Sequence, residues 1–249
     1  MDLITLVIII VVGFLSGVFG AIIGSTLLIL TPLLHFLGLP IHTALGSSKI
    51  SVLSRELIPI FHFNKHKLID FKMAFPFIVA GTLFAFLGTK VILSLSEKLL
   101  TVIVAVFMII ISLMILLKPN IGMEKKHIKK SYWTLIISII SGALIGFYQG
   151  IFGGGSNVFI IFSFVLIFGN TFLQAVANSK LPNLIFALAS SLVFIINGYV
   201  NWLFAIPLLI STAFGSYFGA RLAIKKGNKF IRALFVGLVI IMAIKLLFF

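Results

Sequence analysis

"ALGSSKI" at Ala44–Ile50 and "AVANSKL" at Ala175–Leu181 decide how this 249-residue chain is read. Each sets a lysine within a long apolar neighbourhood, with a serine directly before it. A charge inside hydrocarbon costs about 3 kcal/mol on insertion scales, so it persists there where pairing or function retains it. The offset that carries Lys49 onto Lys180 is nearly the one that carries Gly13, Gly17 and Gly20 onto Gly146, Gly150 and Gly153. A gap of two positions aligns both motifs, so the chain reads as a duplicated unit.

Composition fixes the solvent of that unit. With 61% hydrophobic and only 10% charged residues, the chain carries more apolar surface than one soluble core of its size can bury. It reads as a polytopic membrane protein. The absence of cysteine excludes disulfides, thiolate catalysis and cysteine metal sites. The first stretch, "MDLITLVIIIVVGFLSGVFGA", lacks a basic start and a cleavage site, and is expected to stay as a first helix rather than leave as a signal peptide.

The crossings follow from the charges. After Asp2 no formal charge appears until Lys49, and 131–179 is equally uncharged; each run is about twice the roughly 20 residues that one crossing takes. Each therefore holds two helical pieces, broken at "GVFGAIIG" (Gly17–Gly24) and "GIFGGGSN" (Gly150–Asn157). Single helices are expected at 44–63, 73–93, 98–117, 171–196, 202–224 and 230–249. The expected fold is an all-α polytopic membrane protein of two inverted repeats, each a glycine-broken helical hairpin plus three transmembrane helices. It forms one domain, 1–249, with repeat one at 1–118, a basic cytoplasmic linker at 119–130 and repeat two at 131–249.

This layout gathers the loops near 64–72, 118–130 and 221–232 on one face. They hold thirteen of the 19 basic residues, against Lys90, Lys98 and Lys245 on the other; Lys49, Arg55 and Lys180 are intramembrane. That is the positive-inside bias, which places the basic loops in the cytoplasm and both termini outside the cell membrane. It also accounts for the net charge of +14 without a nucleic-acid partner. Counting each broken hairpin as one crossing would put the second and third basic loops on opposite faces.

Inverted repeats of this size are a transporter plan in which the site lies near the midplane, where the broken helices meet. A half-helix starting at Gly153, Gly154, Gly155 and Asn157 presents backbone N–H groups and the positive end of its dipole, a seat for a small anion. Lys49 and Lys180 supply full charge from facing helices, with Ser47, Ser48, Asn178 and Ser179 as neutral partners. The competing reading lets both lysines snorkel to the interface. Arg55 and Glu56 are adjacent and face apart, and Glu56, two turns from Lys49, is Lys49's counter-ion, a proton carrier or a structural group. Gly215 and Gly219 in "GSYFG" read as close helix contacts. His62 and His66 have a metal-compatible spacing but no third ligand, and read as a solvated loop; His35 and His42 bracket the "FLGLP" turn. No nucleophile, base and orienter come together and no Walker loop is present, so neither an enzyme, a metal nor a cofactor is expected.

Six stretches carry a resemblance: "GFLSGVFG" (Gly13–Gly20) with "PLLHFLGLP" after it, "ALGSSK", "FHFNKHKLIDFKMA", "GFYQGIFGGGSN" (Gly146–Asn157) and "GSYFGARLAIKKGNKFIR" (Gly215–Arg232). Over nearly its whole length the chain resembles the sulfite exporter TauE/SafE family of membrane transporters. Ala21, Ile22 and Ile23 stand where that family usually supplies more glycine. The resemblance implies a secondary transporter moving sulfite or a related organosulfur or sulfonate anion outward, with the coupling proton or other ion left open. The alternative is a membrane-embedded subunit or scaffold of sulfur metabolism that transports nothing.

Overall fold

The computed structural model describes residues 2–22, 24, 26–94 and 131–248. The expected span 98–117 and the basic linker 119–130 lie outside the described residues. Everything regular among them is helical: α1 (Leu3–Ile22), α2 (Leu27–Phe36), α3 (Ile41–Lys65), α4 (Phe71–Ser94), α5 (Tyr132–Ile151), α6 (Ser156–Phe168), α7 (Phe172–Ile196) and α8 (Trp202–Phe248). Helices satisfy their own backbone, as hydrocarbon requires. Parts of α1, α4, α5, α7 and α8 are long and apolar enough to cross a membrane. The chain is a multi-pass membrane protein. α2 and α6, with 10 and 13 residues, are the short halves of the two broken hairpins.

Local chemistry sets the boundaries. Thr171 caps α7 reciprocally with Gln174: each side chain accepts from the other's backbone N–H at 3.3 Å. The helices expected at 202–224 and 230–249 form one run interrupted at Gly227, whose φ of 69° only glycine adopts cheaply. The break in the second hairpin is narrower than the glycine motif suggests. Gly150 sits inside α5 and Gly17 and Gly20 inside α1, so the chain turns only after Ile151 and Ile22. Ala21 and Ile22 prolong α1 as helix.

The buried glycines instead let helix axes approach. α4 lies along α5 and α1 along α8. A Cβ on Gly146 would run into Gly81 of α4, and one on Gly17 into the backbone of Thr212 and Gly215 of α8. Gly215 and Gly219 press against the backbone of Phe14 and Val18, which bears out their reading as close contacts. α3 and α7 occupy the middle, α3 against α7 and α8, α7 against α3, α4 and α6. Outer faces of α1, α4, α5 and α8 expose large apolar residues such as Leu3, Leu83, Leu144 and Phe214. The polar side chains are inside, inverting the soluble pattern.

Candidate functional site

α3 matches α7 in length, yet its centre reads Ser47, Ser48, Lys49, Ser51, Ser54, Arg55, Glu56, and every one of these is buried. α7 answers with Asn178, Ser179, Lys180, Asn183, Ser190 and Ser191, buried as well. Such helices are tolerable only in contact with each other or with polar backbone. Neither lysine snorkels: both side chains are 0% exposed.

Lys49 is fully engaged. Its ammonium donates to the carbonyls of Gln149 and Gly150 at 2.8 Å each and to Ser190 Oγ at 2.5 Å, with the Phe194 ring 5.3 Å away. Gln149 and Gly150 close α5, where carbonyls lose their helical partners and the dipole is negative. Thr89 of α4 braces the same cluster, its hydroxyl standing 2.9 Å from Ser190 Oγ and 3.2 Å from the Gly150 carbonyl. A lysine has three N–H donors, and here all are used.

Lys180 is held differently. Its Nζ stands 3.2 Å from Glu56 Oε2 and 3.5 Å from the carbonyl of Gly20 in the last turn of α1. The Oε1 of Glu56 accepts from Asn183 Nδ2 at 2.7 Å and from the guanidinium of Arg55. Arg55 in turn donates to Thr26, the residue directly before α2. Glu56 is thus the counter-ion of Lys180 and Arg55, not of Lys49. The helical argument that Arg55 and Glu56 face apart fails because the long arginine side chain folds back onto its neighbour.

The two breaks meet. A Cβ on Gly24 would strike the Asn157 side chain, and Gly153 and Gly154 lie against Leu27 and Leu28 of α2. Gly155 caps α6 with φ of 80°, a left-handed conformation that suits glycine. Ser156 Oγ stands within hydrogen-bond reach of the Gly153 carbonyl, 2.8 Å away, and of Gln149 Oε1, and Tyr148 donates to the Gly154 carbonyl at 2.5 Å. The starts of α2 and α6 therefore share one place, with Arg55 beside it.

Four predicted partners sit elsewhere or face their own helix. Ser47 Oγ accepts from the Asn201 N–H at 2.9 Å, and Asn178 Oδ1 from the Asp70 N–H at 2.6 Å. Each pins a loop rather than flanking a lysine. Ser179 donates to its own helix at the Val176 carbonyl, 2.9 Å away, and Ser48 Oγ meets no hydrogen-bond partner among the described residues. Sequence reasoning missed Gln149, Ser190, Thr89, Asn183 and Thr26. A polar stripe on α7 at positions 180, 183, 190 and 191 was the available signal for two of them. His62 stands in the last turn of α3, edge-on to Tyr217 at 4.8 Å, rather than in a loop.

Chemically, the described interior holds Lys49, Arg55 and Lys180 against Glu56 alone, a formal excess of two positive charges. Charge of that sign beside two helix starts suits an anion.

The family model described as "Sulfite exporter TauE/SafE" matches residues 8–246. Among similar proteins, "Probable membrane transporter protein YfcA" of Escherichia coli (strain K12) is 28% identical over 240 residues, covering 95% of this chain and 87% of its own. A "Probable membrane transporter protein" of Haemophilus influenzae is 26% identical, covering 95% and 92%, and "Probable membrane transporter protein YunE" of Bacillus subtilis is 26% identical, covering 90% of each. No solved structure matches the chain. With nearly every residue from the first helix to the last inside the match, the chain belongs to the sulfite exporter TauE/SafE family of membrane transporters.

Proposed function

We propose that the protein is a secondary carrier that exports small oxyanions, sulfite or a related sulfonate, and that it performs no covalent chemistry. The observation that carries this reading is the buried excess of positive charge beside the paired starts of α2 and α6. An oxyanion accepts several hydrogen bonds at once, and helix starts offer N–H groups together with a favourable dipole. Lys180 is the direct contact, because its partners among the described residues are one carboxylate oxygen and one long carbonyl contact. Lys49 holds the end of α5 instead.

The proposed architecture is a pair of inverted repeats, 1–118 and 131–249, with basic loops cytoplasmic and both termini outside. Matched bonds support it. Ser47 and Asn178 are equivalent in the heptapeptides, and their donors, Asn201 and Asp70, are separated by the same interval along the chain as Lys49 and Lys180. Lys49 reaches the end of α5 while Lys180 reaches the end of α1, so each lysine serves the broken helix of the other half. Such exchange fits alternating access about a shared midplane site. Tyr132, Trp133 and Trp202 stand exposed at helix starts, as interfacial aromatics do.

The test is efflux of radiolabelled sulfite from liposomes holding the purified protein. Saturable efflux is expected, with an apparent KM that Lys180→Gln raises by about 10- to 100-fold. Efflux no faster than the leak from protein-free liposomes refutes the reading.

A further inference from the structure

We propose that Glu56 is a tethered internal anion that keeps the substrate's place. It occupies Lys180 while the carrier is empty, and yields that ammonium to a singly charged oxyanion when one arrives. This inference rests on the anion reading above and adds how the empty carrier returns.

The carboxylate is built for such a part. Glu56 Oε1 is anchored by Arg55 and Asn183, both hydrogen-bonded to it. Oε2 has no hydrogen bond among the described residues and faces Lys180 as an ion pair alone, at 3.2 Å. One oxygen holds the group in place and the other is offered. Among the described residues Lys180 has little else to lose, since its contact with the Gly20 carbonyl is long at 3.5 Å. Lys49, by contrast, would break three good hydrogen bonds on leaving. The device is not a by-product of duplication. In the register that pairs Lys49 with Lys180, Glu56 falls on Ala187 and Asn183 on Val52, so only one half possesses it.

Charge arithmetic gives it a purpose. With Glu56 in place the described interior carries a formal excess of two positive charges, and a bound singly charged oxyanion lowers this to one. Without Glu56 the empty interior would carry three. Uncompensated charge in a low-dielectric interior is expensive, so the empty state would be raised most and its return slowed. The substrate-loaded state would suffer less, because the anion itself supplies the missing charge.

Liposomes loaded with radiolabelled sulfite separate the two cases. Net efflux into sulfite-free buffer requires the empty carrier to return; exchange against external sulfite does not. For Glu56→Gln the ratio of net efflux to exchange should fall by about a hundredfold. The double variant Arg55→Gln/Glu56→Gln restores the original charge count, and the ratio should recover to within about tenfold of wild type. A ratio unchanged in Glu56→Gln overturns the proposal. So does equal loss of both modes in a monodisperse Glu56→Gln protein. If that variant does not fold, the double variant decides: exchange without net efflux overturns the charge argument. Wild-type protein that runs neither mode removes the anion reading and this inference together. Wild-type flux whose apparent KM Lys180→Gln raises tenfold or more and whose net-to-exchange ratio Glu56→Gln leaves unaltered removes this inference alone.

Discussion

Lys49 and Lys180 are equivalent in sequence, yet the structure predicts opposite consequences for their loss. Consider Lys49→Met, which keeps the length and apolar stem but removes three donors. Thr89 has one hydroxyl hydrogen and so can satisfy at most one of the Gly150 carbonyl and the Ser190 hydroxyl, while the Gln149 carbonyl is left bare. A buried acceptor without a partner costs about 1–3 kcal/mol. Relief from burying an ammonium offsets part of this, while the loosened end of α5 adds to it. A net loss of about 2 kcal/mol corresponds to about 4–8 °C in Tm for a chain of this size. Sulfite affinity should change by less than about threefold, because about 2 kcal/mol is removed from folding rather than from binding. Lys180→Gln should do the reverse. Losing a charge-assisted hydrogen bond to the anion costs about 1.5–3 kcal/mol, or about 10- to 100-fold in apparent KM. Glu56 keeps Arg55 and Asn183, so Tm should fall by less than about 3 °C. Thermal melts in detergent beside liposome flux give both readouts. A Lys49→Met protein of unchanged Tm with KM raised tenfold or more would refute the division of labour.

Further outcomes follow from the packing and the layout. Single cysteines replacing Gly122 and Lys226 of this cysteine-free chain should react only with reagents that enter the cell, and one replacing Asn197 from outside; labelling of Gly122 and Lys226 from opposite sides would end the inverted layout. Gly215→Ala should lower stability by about 1–3 kcal/mol, since its Cβ would meet the Phe14 carbonyl rather than open space; a melt indistinguishable from wild type would show that α1 and α8 can part. Gly154→Leu, which drives a side chain into Phe152 and Leu28, should abolish sulfite flux while protein still accumulates in the membrane; normal flux would reduce the second break to packing.

Much of the fold was legible because membrane solvent makes length and charge decisive. The uncharged run 131–179 is too long for one crossing, and it does fold as α5 and α6. The helix starts expected at 171 and 202 lie within one residue of the starts of α7 and α8. The glycines were less legible. Glycine serves both to turn a chain and to admit a neighbouring backbone, and no local pattern separates Gly150, which does the second, from Gly155, which does the first. Only the neighbours across the interface decide.

The site was legible as a set of polar residues and illegible as a set of pairs. That Lys49, Arg55, Glu56 and Lys180 would be buried follows from their surroundings in sequence. That Glu56 answers Lys180 does not, because the partner stands in the other half of the chain and the nearer candidate, Lys49, lies two turns along the same helix. What breaks the tie is the end of α5: its unpaired carbonyls, an obligatory feature of any broken helix, draw the Lys49 ammonium away from Glu56 and leave that carboxylate to α7. The break therefore does more than bend the chain. By absorbing Lys49, it leaves Lys180 to face Glu56 Oε2 at 3.2 Å and the Gly20 carbonyl at 3.5 Å, so the two lysines of one repeated motif meet different partners.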